Sequence, residues 1–173
     1  MPSTSRDARH ERAQRASNFT TQPTPAPVSA RKGLVILTDT VDIAAPIERV
    51  WALTEAVEKW PEITPTMTKI VRLDGGPLEV GSTARVKQPR QRARVWRVTR
   101  LEPNHAFAWQ SRILGMPVTG THSMTARGDG STTNTLTLEM SGVISRLLGP
   151  ILASTLRGAL ATENAGFKQH AES

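Results

Sequence analysis

The chain has no cysteine and no tyrosine among its 173 residues. Without thiols it can form no disulfide, hold no metal through thiolate and offer no cysteine nucleophile. Without phenols it has no tyrosine to donate a proton in a buried site. Aromatic residues of any kind are few, four Trp and three Phe, which argues against a stacking surface for single-stranded nucleic acid. No apolar run approaches the ~18 residues that a membrane span needs. The opening MPSTSRDARHERAQR lacks the apolar core of a secretory signal. These absences predict a cytoplasmic chain without a transmembrane segment. Phosphate-loop, G-x-G-x-x-G and H-E-x-x-H patterns are missing, and His10, His105, His122 and His170 stand far apart, so neither a metal nor a cofactor is expected. Ser111, Ser123 and Ser141 lie outside any nucleophile-elbow context.

What is present begins with charge. The net charge is +7, but it is unevenly placed. Residues 1–33 hold six basic and two acidic residues in a Ser-, Thr-, Gln- and Pro-rich setting, with Pro23, Pro25 and Pro27 excluding helix. A disordered basic tail is expected at 1–33, followed by one domain at 34–173. Within that domain Arg85–Arg100 carries seven basic residues and no acid, whereas the remainder carries nine basic and thirteen acidic ones. A generally basic, nucleic-acid-binding surface is thereby excluded.

The stretch VDIAAPIERVWALTEAVEKW, Val41 to Trp60, is the most informative. Val41 and Ile43 share a strand face, and Pro46 stands where a first helical turn tolerates a missing N–H. Ile47, Val50 and Trp51 then follow at i, i+3 and i+4, predicting an amphipathic helix from Pro46 to about Val57. Glu58 to Pro65 reads as a short helical or turn segment broken by Pro61 and Pro65. Six short β segments come next, at 68–73, 83–87, 94–101, 106–113, 119–126 and 133–140, separated by turn chemistry such as Asp74-Gly75-Gly76-Pro77 and Gly128-Asp129-Gly130. A long helix from Ser145 to about Ala171 closes the chain, with Leu148, Leu152, Leu156, Leu160 and Phe167 on or near one stripe and a break or restart expected at Gly149-Pro150. The sum is an α+β domain in which a curved antiparallel sheet of about seven strands wraps a long C-terminal helix.

Strand parity points a set of large apolar groups at the concave face: Trp96 and Val98, Phe107 and Trp109, His122 and Met124, Leu136, Leu138 and Met140. Opposite them stands the stripe of Leu152, Leu156 and Leu160. Such a set forms either a packed core or a pocket for an apolar ligand. His122 is the one titratable member. It reads either as a neutral, hydrogen-bonded core histidine or as a residue that orients a ligand or moves a proton, and strand parity puts no carboxylate beside it. The same parity gives Arg92 and Arg94 the face of Trp96 while Arg97 points out with Arg85 and Lys87. An arginine at a pocket mouth suits an enolate, carboxylate or phosphate, and the alternative is a solvated hairpin face.

The strings VDIAAPIERVW, WPEITP, LEVGSTARVKQPR, VWRVTRLEPNHAFAW, THSM and ATENAGFKQHAE resemble the SRPBCC superfamily of START-like, helix-grip fold, in its polyketide cyclase/dehydrase and lipid-transport branch. The resemblance covers about residues 35–172. It implies a helix-grip domain with two short helices after the first strand and a cavity between sheet and C-terminal helix. A small hydrophobic molecule, lipid- or polyketide-like, is the partner so implied, with Trp96, Val98, Phe107, Trp109, His122, Met124, Met140, Leu152, Leu156 and Leu160 around it. The alternative is a polyketide cyclase/aromatase in which Arg94, His122 or Trp109 stabilises an enolate, without the help of a phenol. A third reading makes the Arg85–Arg100 hairpin a docking site for an acidic protein or anionic membrane. Oligomeric state has no signal in the sequence.

Overall fold

The structure, a computed structural model, describes residues 34–173, with the backbone alone at 143–150. The basic tail expected at 1–33 lies outside the described residues. Strand β1 (Leu34–Ile43) is followed by helix α1 (Ile47–Glu55), a 3-10 turn (Val57–Lys59) and helix α2 (Trp60–Ile63). Strands β2 (Lys69–Arg72), β3 (Thr83–Lys87), β4 (Arg94–Glu102), β5 (Ala106–Ile113), β6 (Met116–Ala126) and β7 (Thr132–Ser141) then form a meander. Helix α3 (Val143–Glu172) completes the chain. The order across the seven-stranded antiparallel sheet is β1-β7-β6-β5-β4-β3-β2, the α+β helix-grip arrangement.

Local chemistry accounts for most of these boundaries. Pro46, extended at φ −66°, precedes α1, and Pro61 stands in the first turn of α2, where its missing N–H leaves no intrahelical bond unmade. The β4/β5 register shifts between Val98 and Arg100, a bulge that adds twist. Two details differ from the sequence reading. Strand β6 starts at Met116 rather than Thr119, because Leu114 and Gly115 (φ 51° and 81°) make a tight hairpin in which a leucine takes the left-handed conformation. Helix α3 runs unbroken across Gly149-Pro150.

The concave face and the C-terminal half of α3 bury the core. Trp60, Phe107 and Phe167 are fully buried, each contributing roughly 1.5–3 kcal/mol by removing its ring from water. They pack edge-on, Trp60 lying 5.7 Å from Phe107 and 5.5 Å from Phe167. The Trp60 N–H donates to the carbonyls of Leu53 and Thr54 at 3.1 and 3.2 Å, so its one donor stays satisfied inside. Gly166 brings α3 against α2: a Cβ at this position would lie 2.2 Å from the Ile63 carbonyl oxygen. A buried amide chain fixes α3 against the sheet. Asn134 Nδ2 donates to Asn164 Oδ1 at 2.8 Å, and Asn164 Nδ2 donates to Asp39 Oδ2 at 2.7 Å.

Candidate functional site

Between the sheet and the middle of α3 lies a cavity of about 90 Å³. Strands β4, β5 and β6 present Trp96, Trp109 and His122 to it, and α3 presents Leu156, Leu160 and Glu163. Trp96 and Trp109 stand 5.2 Å apart between ring centres. Gly120, directly before His122 on the same strand face, makes room for them, since a Cβ there would sit 3.1 Å from Trp109 Nε1.

Five of the residues expected at a pocket therefore meet in one place: Trp96, Trp109, His122, Leu156 and Leu160. Val98, Phe107, Met124 and Met140 are buried in the surrounding core, outside the cavity lining. Leu152 is 41% exposed and stands clear of it, because none of residues 151–160 of α3 is fully buried. Arg94 lines a different groove, with Val95, Arg97 and Arg112, and donates to the Arg112 carbonyl at 3.4 Å. It does not face His122.

Strand parity found no carboxylate beside His122, and the structure supplies one from the helix. His122 Nε2 lies 3.2 Å from Glu163 Oε1, the two side chains being only 4% and 12% exposed. Glu163 Oε2 accepts from the Thr66 hydroxyl at 3.0 Å, and Thr66 in turn lies 3.0 Å from Thr64 Oγ1. The imidazole is held by rings, with Trp60 at 4.8 Å and Phe167 at 5.0 Å. His122 Nδ1 is buried without a hydrogen-bond partner among the described residues. An imidazole beside a hydrogen-bonded carboxylate, one ring nitrogen unengaged, can hold or pass a proton at the cavity wall. The missed signal was in the stripe itself, where Glu163 follows Leu156 and Leu160 at the helical spacing that leads to Phe167.

Among the described residues, no group of three or more His, Asp or Glu is placed to hold a metal ion, and no helix is long and apolar enough to cross a membrane.

Comparison with known proteins agrees with this architecture. Comparison with curated proteins finds no match. Among solved structures, major latex-like protein 151 of Panax ginseng superposes with a TM-score of 0.66 at 11% identity, over 80% of this chain and 98% of that one. Norcoclaurine synthase of Thalictrum flavum gives 0.62 at 14% identity over 79% and 92% of the two chains. The aromatase/cyclase Zhui of a Streptomyces species gives 0.58 at 17% identity over 80% and 91%. At these identities the likeness is one of fold. The family model described as polyketide cyclase / dehydrase and lipid transport matches residues 35–172. Spanning nearly all the described residues, that match makes the chain a member of the polyketide cyclase/dehydrase and lipid-transport family.

Proposed function

We propose that the chain binds a small hydrophobic ligand, lipid- or polyketide-like, in the cavity between the concave sheet face and α3. The observation that carries this reading is the cavity itself, with apolar side chains of Trp96, Trp109, Leu136 and Leu160, the titratable pair His122 and Glu163, and neutral polar groups of Thr66, Gln88, Thr121 and Thr137 in its lining. Such sites orient an apolar molecule through a few placed polar groups. The space of about 90 Å³ takes only a few heavy atoms, whereas drug-sized ligands fill about 300–1,000 Å³. A larger ligand therefore requires the outer half of α3 to move outward. Residues 151–160 oppose this weakly, since none is fully buried, while Asn164, Gly166 and Phe167 anchor the inner half. Burying about 250 Å² of ligand apolar surface is worth about 6 kcal/mol, which corresponds to a dissociation constant of tens of micromolar before association costs.

A second reading, a cyclase, is favoured by the His122–Glu163 pair. The imidazole would take a proton from a carbon flanked by two carbonyls, with Glu163 stabilising the imidazolium. The resulting enolate carbon would bond to a further carbonyl carbon of the same chain, whose oxygen would recover the proton from the imidazolium.

Thermal shift and native mass spectrometry with fatty acids, flavonoids, sterols and a poly-β-ketone model compound test both. Binding predicts saturable stabilisation that Glu163→Gln weakens by less than about tenfold, whereas proton transfer predicts that Glu163→Gln slows conversion of the ketone by about 10²–10⁴. Silence across the whole panel would refute both.

A further inference from the structure

The outer face of the sheet at its β2 end carries a cluster of cations without counterions among the described residues. Lys69, Arg85 and Lys87 line a groove of about 320 Å³ together with Ala93 and the exposed Val71 and Leu73. An adjoining groove includes Val95, Arg97 and Arg112, and Arg85 is the register partner of Val95, so the two are continuous. Lys69 stands directly opposite Lys87 in the β2/β3 ladder, a like-charge placement that costs stability. Arg72 on β2 and Arg100 on β4, like Lys59, Arg127 and Lys168 elsewhere, each have a carboxylate within ion-pair distance, whereas Arg49 and Arg157 have none among the described residues. Lys69, Arg85, Lys87, Arg97 and Arg112 have none among the described residues; Lys87, Arg97 and Arg112 donate to the backbone carbonyls of Gln91, Gly81 and Gly115. These cations lie one or two to a strand, so they are spread over three strand spacings of about 4.8 Å each.

We propose that the outer face of β2–β5 docks an acidic segment of a partner polypeptide, with an apolar side chain seated between Lys69, Arg85 and Lys87. The row is too long for a small anion, since three spacings match about four or five residues of extended chain. A bilayer fits less well, because insertion needs apolar side chains standing beyond the cations, whereas Val71, Leu73 and Ala93 line a groove between them. Nucleic-acid stacking lacks its platform, as every described aromatic side chain is buried. Five cations with no carboxylate partner among the described residues and the Lys69–Lys87 like-charge opposition are both relieved by carboxylates from outside.

The test is fluorescence anisotropy of the full chain with a short fluorescein-labelled peptide of Glu and Asp carrying Leu at every fourth position. Saturable binding is expected, weakening roughly tenfold from low to physiological salt. The triple variant Arg85→Glu, Arg97→Glu and Arg112→Glu should bind at least about tenfold more weakly, and so should the milder Lys69→Gln with Lys87→Gln, at unchanged circular dichroism and unchanged response to cavity ligands. The basic tail stays in place throughout, so retained peptide binding by both variants overturns the proposal. So does the absence of saturable binding, or tighter binding to phosphatidylcholine–phosphatidylserine vesicles or to a DNA duplex than to the peptide.

Discussion

Replacing Gly166 by alanine sets two effects of opposite sign against each other. In an open helix interior the change stabilises by about 0.5–1 kcal/mol, because glycine loses more backbone freedom on folding. At Gly166 the new Cβ would lie 2.2 Å from the Ile63 carbonyl oxygen and 3.1 Å from its carbon. Both are backbone atoms, so no side chain can rotate away, and α3 must part from α2. Overpacking of that kind costs about 1–3 kcal/mol or more, and backbone against backbone belongs at the upper end. A net loss of about 2 kcal/mol is expected, or about 8 °C in Tm for a domain of this size. Gly158, in the same helix with nothing within 4 Å of its Cβ position, is the matched control. Gly158→Ala should gain about 2–4 °C in the same melt. Parting the helices should also stretch the Thr66–Glu163 contact, now 3.0 Å, and so weaken ligand-induced stabilisation. A Gly166→Ala protein as stable as wild type would refute the packing argument.

Asn164→Ala removes both halves of the amide chain, leaving Asn134 Nδ2 and the Asp39 carboxylate without the partners they have at 2.8 and 2.7 Å. A loss of about 2–4 kcal/mol in urea unfolding is expected, because stranding the buried Asn134 amide and the half-buried Asp39 carboxylate costs more than the bonds contribute. Replacing His122 by Asn withdraws the ring that packs on Trp60 and Phe167, at about 1–3 kcal/mol by the same measurement. Acid should weaken the fold through carboxylates held below their ordinary values, Glu172 and Asp74 among them. Glu172 is held below its ordinary 4.5 mainly by the Lys168 hydrogen bond and then by the Ala44 N–H, and Asp74 below its ordinary 3.8 mainly by the Thr83 N–H and then by Arg72. A folded-state value below the unfolded one gives stabilisation that is complete above the unfolded value and disappears as pH falls through the folded one. Urea midpoints should therefore be flat near neutrality and drop in acid, and the difference between wild type and Glu172→Gln should vanish there.

The fold was legible where hydrophobic period and turn chemistry agreed. Pro46 ahead of Ile47, Val50 and Trp51 placed α1, and Gly-rich turns divided most of the meander. The start of β6 and the tightness of its turn from β5 were hidden because Leu114, an unusual residue at φ 51°, takes a turn position usually given to Asn or Gly. Half of the site was legible because concave-face parity selects Trp96, Trp109 and His122 without knowledge of neighbours. Glu163 was not, because its pairing with His122 depends on where α3 crosses the sheet, and that crossing is set by tertiary contacts such as Gly166 on Ile63. Leu152 fits the apolar stripe yet stays 41% exposed for a related reason: helical period assigns a face, whereas the angle of the helix decides how far along that face burial extends.

Isothermal titration with the ligand that raises Tm most, using wild type and Leu160→Trp, is the most direct measurement of the cavity claim. Leu160 lines the cavity and is only partly buried, so a bulkier side chain can occupy the space without displacing the sheet. Saturable binding near one ligand per chain is expected for wild type, at least about tenfold weaker in Leu160→Trp and unchanged in Arg85→Glu. Equal affinity in wild type and Leu160→Trp would contradict the account, because the ligand would then lie outside the space between Trp96, Trp109 and α3.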